Sequence, residues 1–424
     1  MSDKERDRKI EEILKDVLKE IKPLQRFPEP VLRVKKIIND NIEKEGVDCD
    51  CFIGGSVGKN THLKDDSDCD IFLRFSKEYT EDEIISISKE LLKSFNPFVL
   101  KGSRNYFSFM LEGIKFEIVP VFRIKKNETA SNSVDYSPLH VEWVQKHEKY
   151  LDDIRIAKRF CKAQKVYGAE SYRKGLSGHS VEILVIFYKG FRNFINAASN
   201  WPDKVIIDIE NRYKGLNPAL LLDESKLGPL ILVDPITPNR NAAAAFSKEK
   251  FELFKKSCNN FIKNPSRKMF EINYLDAERI KKEFHKRGMI TFIFKHEASD
   301  LGSQDKTGTR MYKEYERLLK AIKETDITLI NSGWDWDPKK EYSWSFFQFK
   351  DENLSKYKIL RGPPIEFKEA SNRFKKAHQN VYEADGCLFA KEERTIRDPV
   401  ELINFLMKKA FKFPEKTVLF EIVR

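Results

Sequence analysis

Paired cysteines are missing from this chain. Its 424 residues contain only six cysteines, scattered singly apart from Cys49 and Cys51, and no C-x-x-C pair. A disulfide framework is therefore excluded and no zinc-ligand spacing is present, which points to a reducing compartment, the cytoplasm. Long apolar runs are missing too. The densest, ILVIFY at 183–188, falls far short of the roughly 20 residues a bilayer crossing needs, so no membrane partner is expected. The N-terminal MSDKERDRK is charged with no apolar run behind it, and reads as lacking a signal peptide. Internal repeats and disordered linkers are also absent from the pattern.

What is abundant is charge. Hydrophobic residues make up 41% and charged residues 34%, the balance of a soluble globular protein with a heavily charged surface. The 77 basic and 66 acidic residues leave a net charge of +11, which suits a polyanionic partner. The length is enough for two to four domains, each with its own core.

The periodicity divides the chain into three parts. Ile10, Ile13, Leu14, Val17, Leu18 and Ile21 share one face of a first helix stopped by Pro23, and a second helix follows from about Pro30 to Glu45. Short β-rich runs come next: DCFIGG, CDIFLRF, FVLKG, YFSFMLEG and IKFEIVPVF, with the helical EDEIISISKELLKSF among them. This order describes an α+β unit with a mixed sheet. From about Pro138 to Ile262 the pattern is helical. LDDIRIAKRFCKAQKVYG, SVEILVIFYKGFRNFINAA and SKEKFELFKKSCNNFI read as long amphipathic segments, and Asn239 as the cap of a short Ala-rich helix. The last third alternates again. Helices AERIKKEFHKRG, MYKEYERLLKAIKE and FKEASNRFKKAH are expected among strands MITFIF, ITLINSG, YSWSFFQF, YKIL, CLFAKEER and VLFEIV, with RGPP as a turn.

Chemistry concentrates in GGSVGKNTHLKDDSDCD at 54–70. Asp68 and Asp70 lie two apart on an expected strand, so their carboxylates share a face about 6–7 Å apart, while Cys69 turns inward with Ile71 and Leu73. Adjacent carboxylates repel, and burying them is costly without a cation. Mg²⁺ is the natural compensation where a triphosphate is also held. A two-metal site needs a third carboxylate, and Glu117 in the apolar run KFEIVPVF is the candidate, the alternative being an edge-strand glutamate facing water. Upstream, Gly54 and Gly55 allow a tight turn, and Ser56 opens a short helix through Lys59, both suited to phosphates.

A G-S turn, two carboxylates twelve and fourteen residues after the serine, and a third on a later strand resemble the DNA polymerase β-like nucleotidyltransferases. The longer string GGSVGKNTHLKDDSDCDIFLRF resembles one branch, the archaeal (class I) CCA-adding tRNA nucleotidyltransferases. FEIVPVFRIKK, SVDYSPLHVEWV, RIAKRFCKAQKVYGAE, KGLSGHSVEILVIFY and VDPITPNRNAAAAFS resemble it in order, across most of residues 50 to 250. The resemblance implies a polymerase β-like head at 1–148, a helical, nucleotide-binding neck at 149–262, and an α+β RNA-binding body and tail at 263–424. It implies template-independent addition of C, C and A to tRNA 3′ ends from CTP and ATP, with Mg²⁺ as cofactor and pyrophosphate released. The partner is tRNA, held by acceptor stem and T-arm, and a homodimer is compatible with it.

By the same resemblance, Asp68, Asp70 and Glu117 are the catalytic and metal-binding carboxylates. Ser56, Lys59 and Lys158 meet the triphosphate, Tyr167 the sugar, His140 the nucleotide, and Arg240 the incoming base. Two departures stand out. The family often has Glu-x-Asp and then Asp, whereas here Asp-x-Asp is followed by Glu117, and Lys59 stands where arginine is frequent. Basic helices with Lys281, Lys282, Lys286 and Arg287, then Arg373, Lys375 and Lys376, suit backbone recognition of structured RNA. The competing readings are an oligoadenylate or cyclic-dinucleotide synthase on the same head, and a non-catalytic RNA-binding protein.

Overall fold

The computed structural model of the chain describes residues 2–66, 68–126, 128–284, 286–298, 303–325, 327–412 and 416–424. The chain forms two compact units, Met1–Asn273 and Tyr274–Arg424.

The first unit begins with helix α1 (Asp3–Ile21), capped by Ser2 and Glu5 in a reciprocal pair of hydrogen bonds. Helix α2 (Glu29–Glu45) carries Pro30 in its first turn, where its missing N–H costs nothing. Strand β1 (Cys49–Ile53), the single turn α3 (Gly55–Gly58), β2 (Asp68–Phe75), α4 (Glu81–Leu91), β3 (Phe98–Leu100), β4 (Tyr106–Leu111) and β5 (Ile114–Phe122) follow. The five strands form one mixed sheet in the order β1-β2-β5-β4-β3, with β2 and β5 parallel and the other neighbours antiparallel. Helices α2 and α4 cover one face. Val31, Val34, Ile38, Ile84 and Leu91 pack there on Cys69, Ile71, Leu73, Phe116 and Ile118. The opposite face carries Asp68, Asp70, Lys115 and Glu117 at one end, with Phe72 buried further along.

Helices α5 (Ser137–Gln145), α6 (Leu151–Ala163), α7 (Gly178–Phe187), α8 (Phe191–Ser199) and α9 (Lys248–Lys263) build a second core, with β6 (Val205–Ile207) and β7 (Leu230–Leu232) as a small parallel pair. Phe160, Phe191, Phe194, Phe254, Phe261 and Phe270 form its aromatic centre. The apolar stripe of α1 joins this helical core and not the core under the sheet. Phe270 carries the first unit past α9 to Asn273.

Two expectations for this region are corrected. The segment 180–198 is not one amphipathic helix. Lys189 and Gly190 take positive φ (60° and 120°) and end α7, and the Asp153 carboxylate accepts the Phe191 N–H at the start of α8. Helix α7 is buried on all sides from Ser180 to Ile186, which is why its pattern lacks a polar face. The Ala-rich helix is absent as well. Residues 242–245 form turns, and the Asn241 side chain instead accepts the Leu232 and Ala243 N–H groups.

In the second unit, α10 (Ala277–Phe284), β8 (Met289–Glu297), α11 (Gln304–Lys323), β9 (Asn331–Asp335), β10 (Tyr342–Lys350), β11 (Tyr357–Pro364), α12 (Lys368–Ala377), β12 (Val381–Ala384), β13 (Cys387–Glu393), α13 (Pro399–Ala410) and β14 (Thr417–Val423) follow in order. They make an antiparallel sheet β14-β8-β10-β9, packed by α11 and α13, and a three-stranded sheet β11-β13-β12. Registered pairing of the expected strand ITLINSG with β10 begins at Asn331, after an Ile330 N–H bond to the Gln348 carbonyl at 2.9 Å, while Ile327 and Leu329 turn into the helix-facing core. The expected RGPP turn lies inside β11, an edge strand with a register shift between Arg361 and Pro364, where prolines are tolerated.

Candidate active site

The parallel pairing of β2 with β5 sets Asp70 directly opposite Glu117 and Asp68 opposite Lys115. Period-2 geometry puts the three carboxylates on the open face of the sheet, while Cys69, Ile71, Phe116 and Ile118 are buried on the other. Strand β5 lies between β2 and β4, in the middle of the sheet, so Glu117 is not an edge residue. Its carboxylate accepts a hydrogen bond from Lys115 on the same strand.

The Gly-Gly-Ser turn is fastened to this acid strand. Gly54 N–H donates to the Asp70 carbonyl at 2.8 Å. Gly55 has φ +53°, and a Cβ there would lie 1.7 Å from Asp70 Oδ2, so only glycine lets the carboxylate stand against the turn. The half-buried Asp70 carboxyl is pushed up to about 6 by burial, then by Glu117 and Asp68, with Lys59 and Lys115 opposing. The cluster is short of positive charge.

Ser56 lies in α3, and its carbonyl accepts the Thr61 N–H. Lys59, at the end of that turn, points its ammonium to Glu182 Oε2 at 2.8 Å. Lys158 on α6 reaches the other oxygen of the same carboxylate, also at 2.8 Å. Thr61 Oγ1 and His179 Nδ1 add contacts to Glu182 at 2.9 and 3.3 Å. Burial would raise the Glu182 carboxyl, but Lys158 and Lys59 hold it well below its ordinary range, whereas burial lowers the Lys158 ammonium despite its partner. Tyr167 stands beside this group: a Cβ on Gly178 would lie 2.8 Å from its hydroxyl and 3.8 Å from Lys158 Cε. Burial raises the Tyr167 phenol well above its usual value, which keeps it a hydrogen-bond donor.

A second buried acid gathers the remaining candidates. Asp234 accepts from His140 Nε2 at 2.9 Å, from the Ile236 and Thr237 N–H groups at 2.9 and 3.0 Å, and from Arg240 Nη1 at 3.3 Å. Burial would raise this carboxyl, yet the His140 hydrogen bond and the charges around it hold it far below the usual range. Arg240 is half exposed, held at its head by Asp234. His179 sits between the two acids, 3.7 Å from Asp234, and its ring centroid is 4.3 Å from that of His140. His140, His179 and Asp234 offer ligand atoms within 4.8 Å of one another. Asp234 is already saturated by N–H donors, and with His140 it anchors the 234–240 loop.

The structure therefore brings the nine candidates together in three groups: the acids, the Lys59–Lys158–Tyr167 set beside Ser56, and the His140–Arg240 pair. Sequence reasoning missed Glu182 and Asp234, which hold the second and third groups in place. The available signal was Glu182 as a lone acid in the otherwise apolar SVEILVIF. In the second unit, Lys282, Lys286, Arg287, Arg373, Lys375 and Lys376 are exposed, while Lys281 is paired with Glu278 and Glu421.

An α+β head with three acids on the open face of a mixed sheet defines a nucleotidyltransferase of the polymerase β-like fold. Residues 34–140 match the model of the nucleotidyltransferase domain. Residues 152–271 match the second domain of tRNA nucleotidyltransferase. A CCA-adding enzyme of Methanocaldococcus jannaschii is 32% identical over 93% of this chain and 90% of its own length. One from Nanoarchaeum equitans is 35% identical over 70% and 72%, respectively. The chain belongs to the CCA-adding enzymes, and its activity is template-independent addition of CCA to tRNA. Among solved structures, a cytoplasmic RNA terminal U-transferase superposes with TM-score 0.50 at 11% identity, covering 62% of this chain and 98% of that one, a likeness of fold alone.

Proposed function

We propose that one centre, built on Asp68, Asp70 and Glu117, transfers all three nucleotides from CTP and ATP to the tRNA 3′-hydroxyl and releases pyrophosphate. The observation that carries this reading is the parallel register of Asp70 and Glu117 beneath the Gly-Gly-Ser turn. All three acids offer hard oxygen donors, and Asp70, raised to about 6, shows the cluster to be crowded with negative charge, a donor set that fits Mg²⁺. Bound there, Mg²⁺ would acidify the attacking hydroxyl and offset charge on the leaving group. Ser56 and Lys59 orient the triphosphate, with Lys158 behind them on the shared Glu182 carboxylate, Tyr167 donates to the sugar, and His140 with Arg240 contacts the base. A planar guanidinium suits the edge of a cytosine or adenine.

In this reading residues 1–148 are the head, 149–262 the nucleotide-binding neck, and 263–424 the body and tail that grip the acceptor stem and T-arm. The exposed basic residues of α10 and α12 meet phosphates, so recognition follows shape and accepts every tRNA. The setting is the cytoplasm. The test is incubation with labelled nucleotides and a tRNA ending at the discriminator base. CTP alone should add two residues, and CTP with ATP three. RNA-free oligomers would favour an oligonucleotide synthase, and no product a binding protein.

A further inference from the structure

Glu182 is 1% exposed and lies on a helix turn buried on every side, a costly place for a carboxylate. Two lysines share it, although one would neutralise it. Their surroundings differ. The Lys158 ammonium is 3% exposed, and its three N–H bonds are all used: Glu182 Oε1 at 2.8 Å, Thr61 Oγ1 at 2.8 Å and the Thr61 carbonyl at 3.4 Å. Among the described residues, the Lys59 ammonium meets Glu182 alone, so two of its donors remain for a ligand. Lys59 also closes the turn that Asp70 stands against, its N–H donating to the Gly55 carbonyl at 3.2 Å.

We propose that Glu182 is a positioning residue for nucleotidyl transfer. Its carboxylate is neutralised by Lys158, and its second oxygen aims the Lys59 ammonium at the incoming triphosphate. The three groups together keep one net positive charge, delivered through Lys59. The inference rests on the reading that Lys59 meets the triphosphate and divides the labour between the two lysines. Lys158 fixes the acid, and the acid fixes Lys59. A Lys59–Glu182 pair without Lys158 would be neutral and attract phosphate less.

The arrangement is tested with inorganic tripolyphosphate as a competitive inhibitor of CTP addition, alongside the KM and kcat for CTP. Lys59→Met should raise the inhibition constant and KM about tenfold, with kcat lowered less. Glu182→Gln should do the same without changing tRNA affinity, and Glu182→Gln with Lys59→Met should be no worse than Lys59→Met alone, because the acid acts through that lysine. If Glu182→Gln fails to fold, the pairwise replacement Glu182→Gln with Lys158→Met removes both buried charges together and should show the same rise. Values within twofold of the parent in the Glu182 variants, with Lys59→Met impaired, would overturn the positioning role. An unimpaired Lys59→Met would overturn the triphosphate reading beneath it. A Glu182 variant that lowers kcat alone would also contradict the proposal, since a merely structural loss has no reason to fall on triphosphate binding.

Discussion

Asp70 and Glu182 are both carboxylates of the first unit, but their surroundings push them in opposite directions. Asp70 shares its sheet face with Asp68 and Glu117, and burial beside these acids raises it to about 6. Glu182 is buried more deeply, yet two lysines, a threonine and a histidine hold it ionised. Asp234 resembles Glu182, with four N–H donors around it. Burial alone therefore does not set an acid's behaviour. An acid cluster short of positive charge is open to a cation, while an acid saturated by donors serves as a fixed point for other side chains.

The comparison breaks most visibly at Asp70. Asp70→Asn should lower incorporation of both C and A at least about 1,000-fold, as for a residue at the reacting atoms, with tRNA binding nearly intact. Its metal-free melting temperature should not fall, because an unrelieved charge is removed. Loss of only one nucleotide's addition would argue against a shared centre.

Asp234→Ala should do the reverse. Denaturant titration should show a loss of about 3 kcal/mol, because His140, Arg240 and two loop N–H groups lose their acceptor. An unchanged midpoint would mean that the donors find other partners.

Acid should weaken both units through buried histidines. Burial lowers His62 in the first unit to about 4 and His296 in the second to about 3. Each is depressed below its ordinary 6.5, so its contribution is complete above about 6.5 and is lost as pH falls toward the folded value. Each should cost about 2 kcal/mol by pH 5, and His296→Gln should flatten that limb in the second unit.

The smallest effect is expected at the half-exposed Arg240. Arg240→Ala should raise UTP misincorporation relative to CTP about tenfold and leave triphosphate affinity largely intact. A uniform fall in rate with unaltered selection would remove it from base recognition.

The open acid face was legible in the sequence because strand alternation displays it. Asp68 and Asp70 flank the inward Cys69, and Glu117 interrupts an apolar run, so period alone separates the faces. The turn chemistry of Gly54 and Gly55 is equally local. Glu182 and Asp234 work through partners far along the chain, such as Lys59 for Glu182 and His140 for Asp234, and no local pattern encodes that. Helix α1 was legible as a helix, but its stripe does not say which of two cores will take it. The break at Lys189–Gly190 was hidden because α7 is apolar all round, so its periodicity gives no end point.

The central claim, that three carboxylates including Glu117 form one metal-dependent centre, is tested most directly by Glu117→Gln at saturating Mg²⁺. The amide keeps the size and the strand position but not the charge. The account predicts that addition of both C and A loses most of its rate, that Glu117→Asp retains more activity than Glu117→Gln, and that tRNA binding is unchanged. Near-normal turnover by Glu117→Gln would contradict it and move the third ligand to another acid.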